Sequence, residues 1–236
     1  MMSVTDTDSF KTQQLHFPRV RQAYHDKGQN IDQLLKDKAL TADHLWLYIR
    51  AFKHEDLLEI WARNKNDSTY ILLKSYDVCN KSGGLGPKRR QGDLQVPEGF
   101  YHIDRFNPAS NFYLSLGINY PNESDKILSD DVNPGGDIFI HGNCVTIGCL
   151  PMTDDVIKEL YILCVEAKNN DQHKIPVTIF PCKFDNPECS GVIKADKVAS
   201  EIAGLWNDLN DAFTHFKQFR TVPKIEFLPT GRHLIN

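Results

Sequence analysis

The residues with the clearest chemical potential lie in one stretch, Gly135 to Asp155, which reads GGDIFIHGNCVTIGCLPMTDD. A buried-type strand, Ile138 to Ile140, ends at His141, and Cys149 follows eight positions later. A cysteine thiol attacks a carbonyl carbon readily when a nearby imidazole takes its proton. We therefore predict that Cys149 is a nucleophile and that His141 is its base.

The residues around Cys149 also suit an acyl-transfer reaction. Thr153 is a good N-cap, so a helix is expected to begin just after the thiol, where the positive end of the helix dipole favours a thiolate. Gly148 permits close approach of a carbonyl substrate. The N–H groups of Gly148 and Cys149 are candidates for an oxyanion hole. On these residues alone a packed, structural cysteine is the commoner alternative, because short motifs give many false positives.

The elements that must position this pair are mostly strands. Alternating apolar residues over 44–52 predict a strand, and segments 57–63 and 69–78 continue it as an antiparallel meander. Further strand signals lie at 100–104, 112–118, 138–140 and 177–180. Together they indicate a β-rich core.

Helices are expected at both ends of the chain and once in its interior. The predicted helices cover 18–27 and 30–40, a segment that begins after Thr153, and 196–220. With the strands, they indicate a β-rich α+β fold. We divide the chain into a tail and helical lead-in (1–43), a catalytic domain (44–184) and a helical extension packed on that domain (185–236).

Composition narrows the function classes. The 236 residues contain 27 Lys and Arg against 31 Asp and Glu, a net charge of −4, which argues against broad nucleic-acid binding. The longest apolar run, Leu160 to Val165, is far shorter than the roughly 18 residues of a membrane span. The first ten residues show no signal-peptide core, so an envelope protein would have lost its signal. No CxxC pair is present, and we expect no metal and no cofactor.

Three stretches together resemble the L,D-transpeptidase (YkuD-like) family, and its YafK-like branch in particular. They are CNKSGGLGPKRRQGD (Cys79 to Asp93), PEGFY (Pro97 to Tyr101) and IHGNCVTIGC (Ile140 to Cys149). The resemblance covers roughly residues 45–184. It implies a mixed β-sandwich with flanking helices, and a periplasmic or cell-envelope enzyme that acts on peptidoglycan stem peptides and can influence cell shape.

The resemblance also implies roles for individual residues. Cys149 matches the family nucleophile and His141 its base. Gly142 matches the position whose backbone carbonyl orients that histidine. Thr146 and Gly148 match the small residues that precede the cysteine, and Thr146 is a candidate substrate contact.

Two positions depart from the family pattern. Ile147 stands where most members have a histidine, and Pro151 where most have an arginine. These departures put donor recognition in question. We expect the loop cations Lys88, Arg89 and Arg90 to receive an acidic stem or glycan face, with a solvated rim as the alternative.

The other cysteines have several readings. Cys144 is a packed residue, half of a disulfide or a second active-site thiol. Cys79 and Cys144 both lie in family-like segments and are candidates for a bridge. Cys182 and Cys189 are candidates to pair in an oxidising compartment, and Cys164 is expected in the core.

The leading functional hypothesis is an acyltransferase. Cys149 forms a thioester with a stem tetrapeptide and passes the acyl group to an amine on a second stem or on a protein. The first alternative is a hydrolase of the same fold that releases a stem-linked amine or a wall-attached protein. A non-catalytic wall-binding module and a cytoplasmic thiol hydrolase are further alternatives.

Overall fold

The computed structural model describes residues 8–193 and 200–236. Its strands are β1 (Leu45–Phe52), β2 (Leu57–Asn64), β3 (Ile71–Asp77), β4 (Gly99–Asn107), β5 (Ser115–Ile118), β6 (Phe139–His141), β7 (Leu150–Pro151), β8 (Ile175–Phe180), β9 (Ile225–Phe227) and β10 (His233–Ile235). The first eight form one mixed sheet in the order β3-β2-β1-β8-β4-β5-β6-β7, and β9 and β10 form a separate hairpin.

Helices flank this sheet. They are α1 (Phe10–Leu15), α2 (Pro18–Asp37), α3 (Glu123–Leu128), α4 (Asp154–Asn169), α5 (Pro187–Ile193) and α6 (Ser200–Phe219), with a 3-10 turn at Ala42–His44. The predicted β-rich α+β fold with flanking helices is confirmed. In the described parts of the chain, no helix is both long enough and apolar enough to span a membrane.

Strand β1 explains why both faces of the sheet are covered. Leu47 and Ile49 enter a core shared with α2 and α4. Tyr48 and Phe52 belong to clusters on α6, which they share with Phe216 and Phe213 respectively. Because strand side chains alternate between faces, a strand with apolar residues on both sides needs a layer on each.

The lead-in differs from its prediction. One continuous helix, α2, replaces the two short helices, and Gly28 lies inside it. Val20 and Leu35, one on each side of Gly28, are buried in the same core. A glycine costs a helix interior about 1 kcal/mol, and we attribute the continuity to this long buried stripe, which outweighs that cost.

The starts of two other predicted elements, one strand and the last helix, also need comment. The strand predicted over 112–118 begins only at Ser115, after Tyr113 takes a left-handed φ of 71° that a strand does not continue. The last helix is described from Ser200, and the predicted residues 196–199 lie outside the described residues.

Candidate active site

His141 is the last residue of β6 and is 2% exposed. Its Nδ1 lies 2.6 Å from the carbonyl oxygen of Gly142. A carbonyl oxygen only accepts hydrogen bonds, so Nδ1 carries the proton and donates it. In the neutral ring Nε2 is then left as an unprotonated base.

Gly142 is required by packing. A Cβ at this position would lie 2.6 Å from Asp154 Oδ1 and 2.9 Å from the carbonyl oxygen of Phe112. The next residue, Asn143, donates its backbone N–H to the same Asp154 oxygen over 2.9 Å. The N-terminus of α4 therefore supports the turn after His141, whereas the sequence assigned that helix end to the thiol.

Cys149 is a free cysteine of intermediate exposure. Its Sγ lies 3.7 Å from the carbonyl oxygen of Asp137. With His141 it lines a cavity of about 530 Å³. The other walls are Asn107, Ser110, Asn111, Phe112, Ser115, Asp137, Phe139, Val145, Thr146 and Ile147. The structure thus brings the predicted nucleophile and the predicted base to one solvent-reachable space.

Electrostatics keep both groups neutral at rest. Burial raises the pKa of the Cys149 thiol, and a backbone hydrogen bond and the Lys88 ammonium only partly oppose it. Burial also lowers the pKa of His141. The expectation of a depressed thiol pKa is therefore wrong, because burial outweighs the groups that favour the thiolate. At neutral pH the pair is a thiol and a neutral imidazole.

The two backbone donors predicted for an oxyanion hole already have a partner. The hydroxyl of Thr146 accepts from the N–H of Gly148 over 3.2 Å and from that of Cys149 over 2.8 Å. It donates in turn to the carbonyl of Cys149 over 2.9 Å. An oxyanion can reach these donors only after the Thr146 hydroxyl gives them up.

Gly148 is needed for a different reason than the one predicted. It has a left-handed φ of 135°, and a Cβ there would lie 3.0 Å from the carbonyl oxygen of Gln95. The group that approaches its backbone is therefore the loop that contains Gln95, which packs directly on the turn bearing Cys149.

The three loop cations are placed differently from their prediction. Lys88 is buried and pairs with Asp93 over 2.6 Å. Arg89 bridges Asp125 and Glu201, at 3.3 Å and 2.8 Å. Arg90 is exposed, and none of the three cations lines the cavity that His141 shares with Cys149. The predicted contact with an acidic substrate is not supported for Lys88 and Arg89, because both side chains already form ion pairs with carboxylates of the protein itself.

Four cysteines form disulfides, which sequence reasoning left open. Cys79 pairs with Cys144, and Cys182 pairs with Cys189. The first bridge ties the segment after β3 to the turn between His141 and Cys149. Cys164 is fully buried in the core, as expected. Cys144 is therefore not a second active-site thiol.

The described residues hold no group of three or more His, Cys, Asp or Glu side chains suited to a metal ion. The groups around Cys149 that can do chemistry are instead a thiol, an imidazole and backbone N–H groups. This set can form and release a covalent acyl-enzyme.

The chain matches a known protein family and a relative over much of its length. Residues 47–179 match the family model named YkuD, the L,D-transpeptidase catalytic domain. The Escherichia coli K12 protein named "Putative L,D-transpeptidase YafK" is 34% identical over 192 residues, which are 80% of this chain and 74% of that protein.

Solved structures are also similar. A variant of Pgp2, the helical cell shape determining protein of Campylobacter jejuni, matches at a TM-score of 0.46 and 21% identity, over 74% of this chain and 57% of that chain. Bd1075 of Bdellovibrio bacteriovorus matches at a TM-score of 0.41 and 22% identity, and 73% of this chain and 57% of that chain are covered. The chain thus spans little more than half the length of these two solved proteins.

Proposed function

This chain belongs to the YkuD family of L,D-transpeptidase catalytic domains, and from that premise we propose that it is a cysteine acyltransferase acting on peptidoglycan stem tetrapeptides. The observation that carries the proposal is the cavity shared by Cys149 and His141, whose Nδ1 is held by Gly142 so that Nε2 is the free base. A neutral base beside a neutral thiol suits deprotonation during attack rather than before it.

Acylation begins when a stem tetrapeptide places the carbonyl before its terminal D-Ala at Cys149. Nε2 of His141 takes the Sγ proton as the sulfur–carbon bond forms. Negative charge develops on the carbonyl oxygen. The N–H groups of Gly148 and Cys149 stabilise this oxyanion once the Thr146 hydroxyl has released them.

The intermediate then collapses to a thioester. The carbon–nitrogen bond breaks, and the His141 imidazolium gives its proton to the departing amine of D-Ala. In the second half-reaction, His141 takes a proton from an incoming amine as that amine attacks the thioester. The amide forms, and the proton returns to the Cys149 sulfur, which restores the resting pair.

We also propose that the enzyme works in the periplasm or cell envelope. Its proposed substrate is found there, and disulfides persist in such oxidising compartments. The Cys79–Cys144 and Cys182–Cys189 bridges support this location.

Hydrolysis is the second candidate function. Ile147 is 78% exposed at the cavity and Pro151 is buried in β7, so neither offers a polar group to a substrate. Water needs less orientation by side chains than an amine on a second peptide. Release of the thioester to water would free a stem-linked amine or a wall-attached protein.

The test is incubation with purified tetrapeptide muropeptides followed by mass spectrometry of the protein and of the products. We expect a thioester on the wild-type protein and none on a folded Cys149→Ala variant. Crosslinked products indicate transfer, and tripeptide products alone indicate hydrolysis. Turnover by Cys149→Ala would contradict the nucleophile assignment. Cys164→Ala, which changes a buried thiol that does not line the cavity, is the matched control.

A further inference from the structure

Cys149 borders a second cavity besides the one that contains His141. This cavity has a volume of about 210 Å³. Among the described residues, Cys149 alone belongs to the walls of both cavities. The other walls of the second cavity are Phe52, Lys53, His54, Asp56, Val78, Asn80, Lys81, Ser82, Gly83, Gly84, Leu85, Val96 and Leu150. The thiol therefore lies where two separate spaces meet.

We propose, on the basis of the proposed function, that this second cavity holds the acyl portion of the stem peptide and that Lys81 and Ser82 bind a carboxylate of that portion.

The reaction itself orients the substrate. When the thioester forms, the sulfur–carbon bond is made and the carbon–nitrogen bond is broken. The proton that His141 took from the thiol goes to the leaving nitrogen, so that nitrogen must lie within hydrogen-bond reach of His141. The leaving amine therefore occupies the His141 cavity. The acyl chain extends from the same carbonyl carbon in another direction, and the second cavity is the space that Cys149 offers there.

Two lysines are among the described walls of the second cavity, and Lys81 is the one available to a ligand. The Lys53 ammonium is buried, and it donates to the carbonyl oxygens of Gly86 and Val96 and pairs with Glu98. Lys81, by contrast, has a side chain that is 68% exposed, and within the described ranges it pairs only with Asp56, over 2.7 Å. Exposed pairs of this kind are worth at most about 1 kcal/mol, so a ligand carboxylate can displace Asp56.

The residue next to Lys81 supplies an unused donor. The hydroxyl oxygen of Ser82 is buried and has no hydrogen-bond partner among the described residues. Buried hydroxyl groups are nearly always hydrogen-bonded, so an unpaired one beside a cavity points to a partner that binds there. An ammonium and a hydroxyl on adjacent residues suit the two oxygens of a carboxylate.

The test uses two tetrapeptide muropeptides as donors, one with free carboxylates in the acyl portion and one with those carboxylates amidated. We expect Lys81→Met to lower kcat/KM for the free-carboxylate donor about tenfold, and to change it less than about twofold for the amidated donor. Ser82→Ala should show the same selectivity with a smaller loss. Asp56→Asn, which removes the competing carboxylate, should raise kcat/KM for the free-carboxylate donor only.

The matched control is Lys65→Met. Lys65 forms a similar exposed pair with Asp171 over 2.8 Å and borders neither cavity. An equal loss on both donors, or no loss, in a Lys81→Met protein that is still acylated would overturn this inference alone. Failure of both donors to acylate the wild-type protein would overturn the proposed function and this inference together.

Discussion

The active-site turn, His141 to Cys149, and the glycine-rich loop, residues 82–96, pack against each other but use their polar groups in opposite ways. The turn contains His141 and no other basic or acidic side chain, and His141 and Cys149 both face a cavity. The loop contains three consecutive cations, Lys88 to Arg90, yet Lys88 and Arg89 are paired within the protein.

The difference shows that a segment rich in charged side chains is not necessarily a binding surface. A buried ammonium must be paired, because removing a charge from water costs several kcal/mol. Lys88 therefore needs Asp93, and Arg89 needs Asp125, for the loop to hold its shape over Gly148. The turn carries few charges, and we infer that the Cys149 thiol and His141 Nε2 therefore stay free of ion pairs until a substrate arrives.

The largest effect is expected from the turn. His141→Gln removes the base while keeping a polar side chain, and should slow acylation of Cys149 by about 10²- to 10⁴-fold at neutral pH. Because burial lowers the pKa of His141, the wild-type rate should reach its plateau at a lower pH than an ordinary imidazole would set, and should fall as His141 becomes protonated.

In the variant, the rate should instead climb with pH as thiolate forms, because the pKa of Cys149 is raised. Single-turnover acylation from pH 5 to 10 measures both profiles. Iodoacetamide labelling of wild-type Cys149 that is already at its plateau at pH 6 would contradict the neutral resting pair.

The next largest effect is on stability and comes from the loop. Asp93→Asn leaves the buried Lys88 ammonium without its carboxylate, and should lower the free energy of unfolding by about 3 kcal/mol. Hydrogen bonds from Lys88 and from backbone N–H groups outweigh burial and lower the Asp93 pKa, so this contribution is present above the ordinary carboxyl pKa and is lost as pH falls below it.

Urea unfolding at pH 7 measures the change. The control is Asp171→Asn, which breaks the exposed pair with Lys65 and should cost less than about 1 kcal/mol. If both substitutions lower the free energy of unfolding equally, the Lys88–Asp93 pair contributes no more to stability than an exposed surface pair.

A smaller effect is expected from Thr146→Val, which keeps the shape of the side chain and removes its hydroxyl. The N–H groups of Gly148 and Cys149 lose their resting partner, so stability should fall by about 1 kcal/mol. Acylation should be faster than in the wild type, because the donors no longer have to exchange partners. A slower acylation rate constant with unchanged binding would show that the hydroxyl assists catalysis instead of occupying the oxyanion site.

The smallest effect is expected from Arg90→Ala. Arg90 is exposed and its side chain has no ion pair among the described residues, so kcat/KM should stay within about twofold of the wild type at low and high salt. Steady-state kinetics at two ionic strengths provide the measurement. A decrease in kcat/KM at low salt only would indicate that Arg90 contacts the substrate. The loop, like the turn, would then contribute a group to the substrate site.

Local sequence determined the features that depend on near neighbours. The alternation of apolar residues over 44–52 predicted β1. Thr153 was identified as the N-cap of α4, and its hydroxyl accepts a hydrogen bond from the backbone N–H of Val156. The family-like stretch also placed His141 and Cys149 close together, and both side chains line one cavity. Such features follow from backbone geometry and from spacings of a few residues, so they can be predicted without the fold.

Only the tertiary structure decided which distant groups become partners. Burial of apolar residues on both sides of Gly28 made one long helix of the two predicted ones. Packing also brought Arg89 into contact with the carboxylate of Asp125, 36 positions away in the sequence. It also raised the thiol pKa of Cys149 through burial. Burial and long-range pairing depend on how the chain packs, and the free energies involved, about 1 to 3 kcal/mol each, exceed the local preferences that a sequence pattern reports.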